Sequence, residues 1–452
     1  MRMNREILRL AIPNIISGIT IPLLGAVSLA MMGRLDDIVY MGALSVGSMM
    51  FNFLYWCFSF LRMGTTGFTA QAFGRASRDG QLPRSEREAR DVEERPNETV
   101  EILARGLFIA LSIAVLILIF QQPILKLATV LIHPEESLMQ VVSSYFYIRI
   151  WAAPTVICFY VFGGWLIGMQ DTKTLMWVSV VINLLNVFFN WLFIFALEMR
   201  NADGAAIGTV CAQYCGFIIS LLVLQIKYRA ISKFFTRAVI KAVGDWRKLR
   251  RFLSVNSDIF LRTLCFIFVF SFFTAESAHH SQHLLVLNML LYQFYIFFSY
   301  ACDGFAHAAE ALSGRFTGSG DLAMKKRSIK YSFTWGAGIT AMFLVAYALF
   351  YHNILQMFTT DASVIALSKD YYYWVLIVTL VGMPAFLWDG VFAGSLATKP
   401  LVYTMIIASS TFFGSYYGFV GLFGNHALWI ALTLFLVMRG LCLTLWSKKV
   451  IS

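Results

Sequence analysis

The sequence predicts an all-α membrane protein with twelve transmembrane helices in two parallel six-helix lobes. Three observations support this prediction: the composition, a series of apolar segments and an internal repeat. Of the 452 residues, 59% are hydrophobic and only 13% are charged, whereas soluble proteins carry about 25% charged residues. The composition therefore excludes a soluble protein.

Twelve apolar segments are each long enough to cross the hydrocarbon core of a bilayer, which takes about 20 helical residues. Several segments exceed that length, so we expect those helices to tilt or to extend beyond the bilayer. Prolines at positions 13, 22, 154 and 384 lie inside spans and are candidate kinks or hinges. The spans are placed at residues 7–32, 40–74, 100–121, 138–169, 174–197, 204–226, 252–275, 282–314, 329–350, 365–396, 400–423 and 426–446.

The basic residues indicate which helix ends face the cytoplasm. With the N-terminus inside, 27 of the 36 lysines and arginines fall in inner segments and four fall in outer segments. Because lysine and arginine concentrate in cytoplasmic loops, we expect both termini in the cytoplasm. These 27 basic residues then lie along the cytoplasmic surface of the membrane and form a basic collar. The collar explains the formal net charge of +11 and attracts anionic membrane lipid. No nucleic-acid partner is predicted.

An internal repeat divides the spans into two halves. Laying the second half over the first pairs Gly164 on span four with Gly390 on span ten and, at a slightly different offset, Gly64 on span two with Gly304 on span eight. Because each half has an even number of spans, both halves enter the membrane in the same direction, which is a transporter architecture. We expect an N-terminal lobe at 1–230, a basic cytoplasmic linker at 231–251 and a C-terminal lobe at 252–452.

Neither an enzyme nor a cofactor or metal site is predicted. The seven cysteines lie in apolar stretches without the C-x2-C spacing of zinc sites. His279, His280 and His283 cluster after span seven, where an exposed loop explains them better than a metal site does. The phosphate-binding loop of ATPases and the common motifs of membrane proteases are absent from the sequence. We therefore expect a transporter that an ion gradient drives.

Ionisable side chains inside spans indicate functional sites, because burying a charged group in hydrocarbon costs free energy. All four clearly intramembrane carboxylates lie in the second half, and two arginines accompany them. At about 1.5 Å per residue, Arg262 and Asp303 both lie roughly 15 Å above the inner ends of their helices and can meet. The acidic surplus favours binding of a proton by at least one carboxylate. The residues are Asp258, Arg262, Asp303, Glu310, Asp389 and Arg439.

Asp303, His307 and Glu310 share one face of span eight, since they are spaced at i, i+4 and i+7. Two interpretations are open. The three residues are either a proton relay along that face or part of a static polar network that joins helices seven, eight, ten and twelve.

The first half has different polar residues in its spans. Asn183, Asn186 and Asn190 lie on span five, where they either join helices by hydrogen bonds or form a substrate or ion site. Arg62, Gln71 and Asn183 are candidates for the lining of a substrate cleft.

Longer motifs are spread over the whole chain. They are RMGTTG at 62–67, TAQA at 69–72, NSDIFLRTL at 256–264, DGFA at 303–306, WDG at 388–390, LW at 428–429 and RG at 439–440. Together they resemble the DinF-like branch of the multidrug and toxic compound extrusion (MATE) family.

The resemblance implies a bacterial inner-membrane exporter that expels varied, often cationic or amphipathic, organic compounds in exchange for inward H+ or Na+. It also implies a first-lobe cation site, built by two aspartates, an asparagine and a threonine, beside a hinge proline. The matching positions are Ser28, Asn186, Asn190 and Thr209, with Pro13 as the hinge. Both family acids are missing, so we expect ion coupling in the C-terminal lobe. Na+ binding by the neutral oxygens of the first lobe, or loss of coupling, are the alternatives.

Two functional hypotheses follow. The first is a secondary active multidrug exporter, an antiporter that acts as a monomer without a cofactor. Because the first-lobe acids are missing, this hypothesis favours neutral or anionic substrates over the cationic compounds that the family resemblance implies. The second is a flippase for a lipid-linked or amphipathic substrate, with Arg62 and Arg149 binding a phosphate head. An uptake carrier of the major facilitator type ranks third, because the basic loop motif of that class is missing after span two.

Overall fold

The computed structural model describes residues 2–32, 38–78, 98–132, 135–199, 201–229, 244–280, 282–359 and 361–451. Within these ranges the chain is almost entirely helical and has no strand. Most of the predicted linker at 231–251 lies outside the described residues. The helices are α1 (Arg2–Met32), α2 (Ile38–Cys57), α3 (Phe60–Arg78), α4 (Glu98–Ile119), α5 (Gln121–Ile132), α6 (Glu136–Arg149), α7 (Ala153–Gly168), α8 (Thr172–Trp191), α9 (Ala202–Lys227), α10 (Trp246–His280), α11 (Gln282–Ser319), α12 (Leu322–Phe358), α13 (Ala362–Gly394), α14 (Thr398–Phe423), α15 (His426–Trp446) and α16 (Lys448–Ile451).

The predicted all-α membrane fold is confirmed. In the described part of the chain, 11 helical segments are long and apolar enough to cross a membrane. The remaining predicted span, 7–32, coincides with α1.

Three predicted spans contain local breaks. A turn at residues 58–59 separates α2 from α3 inside span two. In span four, a 3₁₀ turn at Ile150–Ala152 precedes α7, and Pro154 occupies the first turn of that helix, where its missing N–H costs no hydrogen bond. Span five ends in a π-helical turn, Leu192–Ala196. Pro384, by contrast, lies inside a continuous α13.

The chain divides into two compact units. One is Ile16–Ser254, and the other combines Met1–Ile15 with Val255–Ser452. Helix α1 therefore changes unit after residue 15, and α10 changes unit after residue 254. The lobe boundaries given by the sequence stay a prediction.

Each unit has a buried helix as its centre. In the unit of residues 16–254, α7 packs against α3, α4 and α9, and its Trp165 is fully buried. In the other unit, α13 packs against α11, α12 and α15, with an aromatic core that includes Phe298, Phe412 and Phe435.

Glycines let these central helices touch their neighbours backbone to backbone. A Cβ added to Gly164 would overlap the carbonyl oxygen of Arg62 on α3, and one added to Gly390 would overlap that of Ala306 on α11. Gly164 and Gly390 are the pair that the internal repeat aligns, so the two halves use the same contact.

The alignment of span two with span eight needs a correction. The glycine contacts make Ala306 the counterpart of Arg62. Pairing Gly64 with Gly304 makes Cys302 that counterpart instead, so the pairing was wrong by one helical turn. Small residues recur at four-residue intervals on such helix faces, which allows this slip.

Substituting alanine for Gly390 is expected to destabilise the protein by about 1–3 kcal/mol, because overpacking forces the helices apart. Gly414 on α14 has open space at the same position. Gly414→Ala is therefore the matched control, with an expected gain of about 1 kcal/mol from helix propensity. Thermal unfolding of the detergent-purified protein measures both effects. Equal melting temperatures for the two variants would contradict a backbone contact at Gly390.

Candidate ion and substrate sites

Asp389 on α13 is the centre of a buried ionic cluster. Its carboxylate accepts hydrogen bonds from Arg262 of α10 and, at 2.5 Å, from Arg439 of α15. The Asp389 side chain is 7% exposed and that of Arg439 is 0% exposed. Three of the residues predicted from the sequence are thus brought together, and they join three helices of one unit.

Aromatic rings enclose the two arginines. The Arg439 guanidinium lies 4.3 Å from the centroid of the Phe266 ring, and Phe386 and Phe435 lie within 6 Å of it. Arg262 lies 5.0 Å from the same Phe266 ring. These cation–π contacts stabilise the buried cations. Asp389 therefore links two arginines that aromatic rings already enclose.

Glu310 has a different environment. Its side chain is only 1% exposed, and its Oε2 lies 3.6 Å from Nδ1 of His307, one turn earlier on α11. The His307 side chain is 22% exposed. A buried carboxyl beside a partly exposed imidazole can exchange a proton with water through that imidazole.

The backbone of Glu310 is held firmly against α13. A Cβ added to Gly394 would overlap the Glu310 carbonyl oxygen, and Ser313 donates hydrogen bonds to the carbonyls of Glu310 and Val391. Close helix packing therefore fixes the backbone from which the Glu310 side chain extends.

The other predicted acids are less buried. Asp258 accepts a hydrogen bond from the Thr398 hydroxyl at 2.6 Å, which joins α10 to the start of α14. Asp303 is half-buried and lies close enough to Tyr295 and Tyr300 to interact electrostatically. Next to it, Gly304 allows close packing of the first part of α1, since an added Cβ would overlap Ile15.

Pro13 lies in that first part of α1. It is buried, two residues before Ile15, in the segment that packs on α11. Its role as a hinge stays a prediction.

Three of the four first-lobe positions lie together. The Asn190 amide donates to Asn186 at 3.0 Å and lies 3.4 Å from the Ser28 hydroxyl. A Cβ added to Gly208 would overlap Asn190, so α9 packs on α8 one residue before Thr209, whose hydroxyl donates to the Ala205 carbonyl. All four side chains are hydroxyls or amides, and the buried Asn190 Oδ1 accepts no hydrogen bond from the described residues.

The predicted cleft residues lie on two helices, α3 and α8, and their role in a substrate cleft stays a prediction. Asn183 donates to the Thr20 hydroxyl at 2.8 Å, whereas Gln71 is buried on α3 and Arg62 is half-buried there. Arg149 donates to the Tyr145 hydroxyl and lies 5.3 Å from the Phe51 ring centroid.

The interpretation of the histidine cluster as an exposed loop stays a prediction. The side chains of His279 and His280 lie outside the described residues, and His283 is exposed. In the part of the chain that is described, no group of three metal-binding side chains occurs.

A groove on α2 was missed by the sequence analysis. Its volume is about 340 Å³, and it mixes hydroxyl, amide, thioether and aromatic groups. The signal was present, since polar residues recur there at helical spacing within an apolar span. The lining residues are Ser45, Ser48, Met49, Asn52, Phe53 and Trp56.

Comparison with known proteins decides the class of this chain. The MatE family model matches residues 13–80, 89–192 and 259–414. This chain belongs to the MatE family. The DNA damage-inducible protein F of Escherichia coli K12 is 32% identical to this MATE protein over 449 residues, which cover 98% of this chain and 92% of that protein. The resemblance to the DinF-like branch is confirmed.

More distant relatives agree. Protein DETOXIFICATION 44 of Arabidopsis thaliana is 24% identical over 97% of this chain and 81% of its own length. An outward-facing multidrug resistance MATE transporter superposes with a TM-score of 0.83 at 16% identity, over 99% of this chain and 96% of that one. The Vibrio cholerae MATE transporter VcmN gives 0.81 at 14% identity, over 100% and 97%. The chain is thus a multi-pass membrane transporter and not an enzyme.

Proposed function

We propose that this MATE protein is a secondary active exporter that exchanges an organic substrate for an inward-moving proton, with the coupling groups in the second half of the chain. One observation carries the proposal: Glu310 is a buried carboxyl beside His307, whereas Ser28, Asn186, Asn190 and Thr209 offer no ionisable group. Of these two groups of side chains, only the one with Glu310 and His307 can bind and release a proton.

The acids of the second half have different roles in this proposal. Asp389 is a fixed anion that binds Arg262 and Arg439 and joins three helices. Glu310 carries the proton, and His307 passes it to or from water. Asp303, one helical turn before His307 on the same face, extends the path.

A proton bound at Glu310 fits the structure better than Na+ bound at the first-lobe oxygens. Na+ would need several oxygen ligands at once, whereas the Asn186 amide oxygen already accepts a hydrogen bond from Asn190. Na+ coupling at the first-lobe oxygens is the alternative that a transport assay with imposed gradients distinguishes.

The substrate class follows from the α2 groove. Trp56 and Phe53 offer rings for stacking, and Asn52 and the serines offer hydrogen bonds, a combination suited to amphipathic aromatic molecules. Because the groove carries no acid, it favours neutral substrates over strongly cationic ones.

We also propose a membrane, an orientation and an oligomeric state for the protein. The basic collar favours cytoplasmic termini, and the similarity to a bacterial protein favours the inner membrane. We propose a monomer, since each half supplies one complete polar cluster of its own. The flippase hypothesis is less well supported, because Arg149 is engaged by Tyr145 and Phe51 and is a poor phosphate ligand in that state.

Dye efflux from proteoliposomes tests the proposal. We expect an imposed pH gradient, and not a Na+ gradient, to drive efflux by the wild type, and Asp303→Asn to slow it. Glu136→Gln is the control, because Glu136 is an exposed carboxylate in the first turn of α6. Na+-driven efflux that Asp303→Asn leaves unchanged would move coupling to the first lobe. Absence of efflux under either gradient would favour the flippase.

A further inference from the structure

Helices α8 and α9 enclose a groove outside the polar clusters. Its volume is about 380 Å³, and branched aliphatic side chains from both helices form most of its wall. Trp177 lies on the α8 side, and Thr174 and Lys227 lie at one end. The other lining residues are Val178, Val181, Ile219, Leu222, Val223 and Ile226.

The apolar wall of this groove is open to the surroundings. Trp177 is 63% exposed and Ile226 is 77% exposed. Both helices are membrane spans, so we expect lipid around these side chains. A concave apolar surface of this kind holds a chain more firmly than a flat one, because it contacts the chain from several sides.

The polar end is built around Lys227. Its ammonium lies 2.6 Å from Asp171 Oδ2 and 2.7 Å from the Thr174 hydroxyl, and the Tyr228 hydroxyl donates to the same Asp171 oxygen. Burial raises the pKa of the Asp171 carboxyl, but hydrogen bonds from Lys227, Tyr228 and Thr174 together outweigh it, so the pKa lies below its ordinary value. Lys227 is 51% exposed, and one of its three N–H groups remains for another acceptor.

The charge at this end is positive. Lys173 precedes Thr174 and is exposed. Lys173 and Lys227 are thus two cations beside the carboxylate of Asp171, to which Lys227 is already bound. The basic collar places these residues on the cytoplasmic side, where anionic lipid headgroups lie.

We propose that this groove binds one anionic glycerophospholipid, with its phosphate at Lys227 and Lys173 and the first part of an acyl chain between α8 and α9. From Thr174 to Val181 the groove is about 10 Å long at the helical rise per residue. Trp177 lies at the headgroup level, which indole rings favour. The lipid holds the cytoplasmic ends of α8 and α9 together. This inference is independent of the transported substrate and the coupling ion.

The second half offers a matched comparison. The alignment that pairs Gly164 with Gly390 also pairs Lys173 with Lys399, which is likewise exposed. It pairs Thr174 with Pro400, however, which has no hydroxyl. Lys399→Gln therefore removes the same charge at a helix start that lacks the hydroxyl group to which Lys227 binds.

Native mass spectrometry of the purified full-length protein, titrated with phosphatidylglycerol or phosphatidylcholine, tests the proposal. The wild type is expected to retain one phosphatidylglycerol in preference to phosphatidylcholine. Lys227→Gln and Lys173→Gln each weaken that binding about fivefold, whereas Lys399→Gln leaves it unchanged. Trp177→Ala weakens the binding of both lipids. Lys173→Gln leaves the hydrogen bonds of Lys227 to Asp171 and Thr174 intact, so this variant remains informative if Lys227→Gln lowers the melting temperature.

Three results would overturn the proposal. Equal affinity for the two lipids in the wild type would remove the role of the phosphate. Equal losses in Lys173→Gln and Lys399→Gln would show a general charge effect without a site. A second copy of the chain bound instead of lipid, lost on Trp177→Ala, would make this face a dimer interface.

Discussion

Replacing Asp389 by asparagine is expected to destabilise the protein by about 3–5 kcal/mol, the usual cost of leaving a buried charge without its partner. The substitution leaves Arg262 and Arg439 side by side, and Arg439 has no exposed surface. Removal of an arginine is expected to cost less, since Arg439→Met leaves one cation with one anion. The double variant Asp389→Asn/Arg439→Met should regain part of the stability that Asp389→Asn loses, because it removes the fully buried cation and keeps only Arg262, whose side chain is 12% exposed. Chemical denaturation in detergent measures the four states of this cycle.

This cycle also separates a structural role for Asp389 from proton transport. A proton carrier must tolerate its neutral form, which asparagine imitates, whereas a fixed counter-ion must not. Asp258→Asn is the control, because the partner of that half-buried carboxylate is the neutral Thr398, and its expected cost is about 1 kcal/mol. A stable Asp389→Asn protein whose transport no longer depends on pH would make Asp389 the carrier and contradict its role as a fixed anion.

Heights in the membrane follow more directly from the sequence than neighbours do. Counting about 1.5 Å per residue places Arg262 near the level of Asp303, but it carries no signal for the hydrogen bond from Arg262 to Asp389 on α13. Height along a helix follows from residue number alone, but lateral position depends on which helices are adjacent and on how each is rotated. Those two quantities are set by packing contacts such as Gly390 against Ala306, which hydrophobicity does not encode.

Local breaks in the helices show a second limit. The turn at residues 58–59 and the π-helical end of span five lie in stretches as apolar as their surroundings. A hydrophobicity pattern reports burial in the bilayer and carries no information about backbone hydrogen bonding. Only the break before α7 carries a sequence signal, in Pro154.

The first-lobe cluster was predicted by a different route. Ser28, Asn186 and Asn190 were grouped through family resemblance, and the structure joins their side chains. Spacing alone relates Asn186 to Asn190 on one helix face, but it carries no information about Ser28, which lies on α1 at the other end of this half. Contacts between distant segments require either a relative or a structure.

Replacing Glu310 by glutamine is expected to reduce efflux driven by a pH gradient to background while leaving the fold intact. Glutamine keeps the size of the side chain and is cheaper to bury than a carboxylate, so the melting temperature should not fall. In an antiporter the protonated state must release the substrate. The variant, which imitates that state, should therefore bind a fluorescent substrate weakly at every pH, whereas wild-type affinity should rise as the pH rises. Fluorescence titrations from acidic to alkaline pH measure this difference.

The His307→Gln variant completes the test of proton exchange. It keeps the Glu310 carboxyl but removes the group through which we expect the proton to pass, so it should slow efflux without removing the pH dependence of substrate binding. A buried carboxyl with a neighbouring imidazole explains both outcomes, because one group stores the proton and the other controls its rate of exchange with water. If Glu310→Gln kept the wild-type pH dependence, Glu310 would belong to the static network that the sequence also allowed, and Asp303 would be the next acid to test.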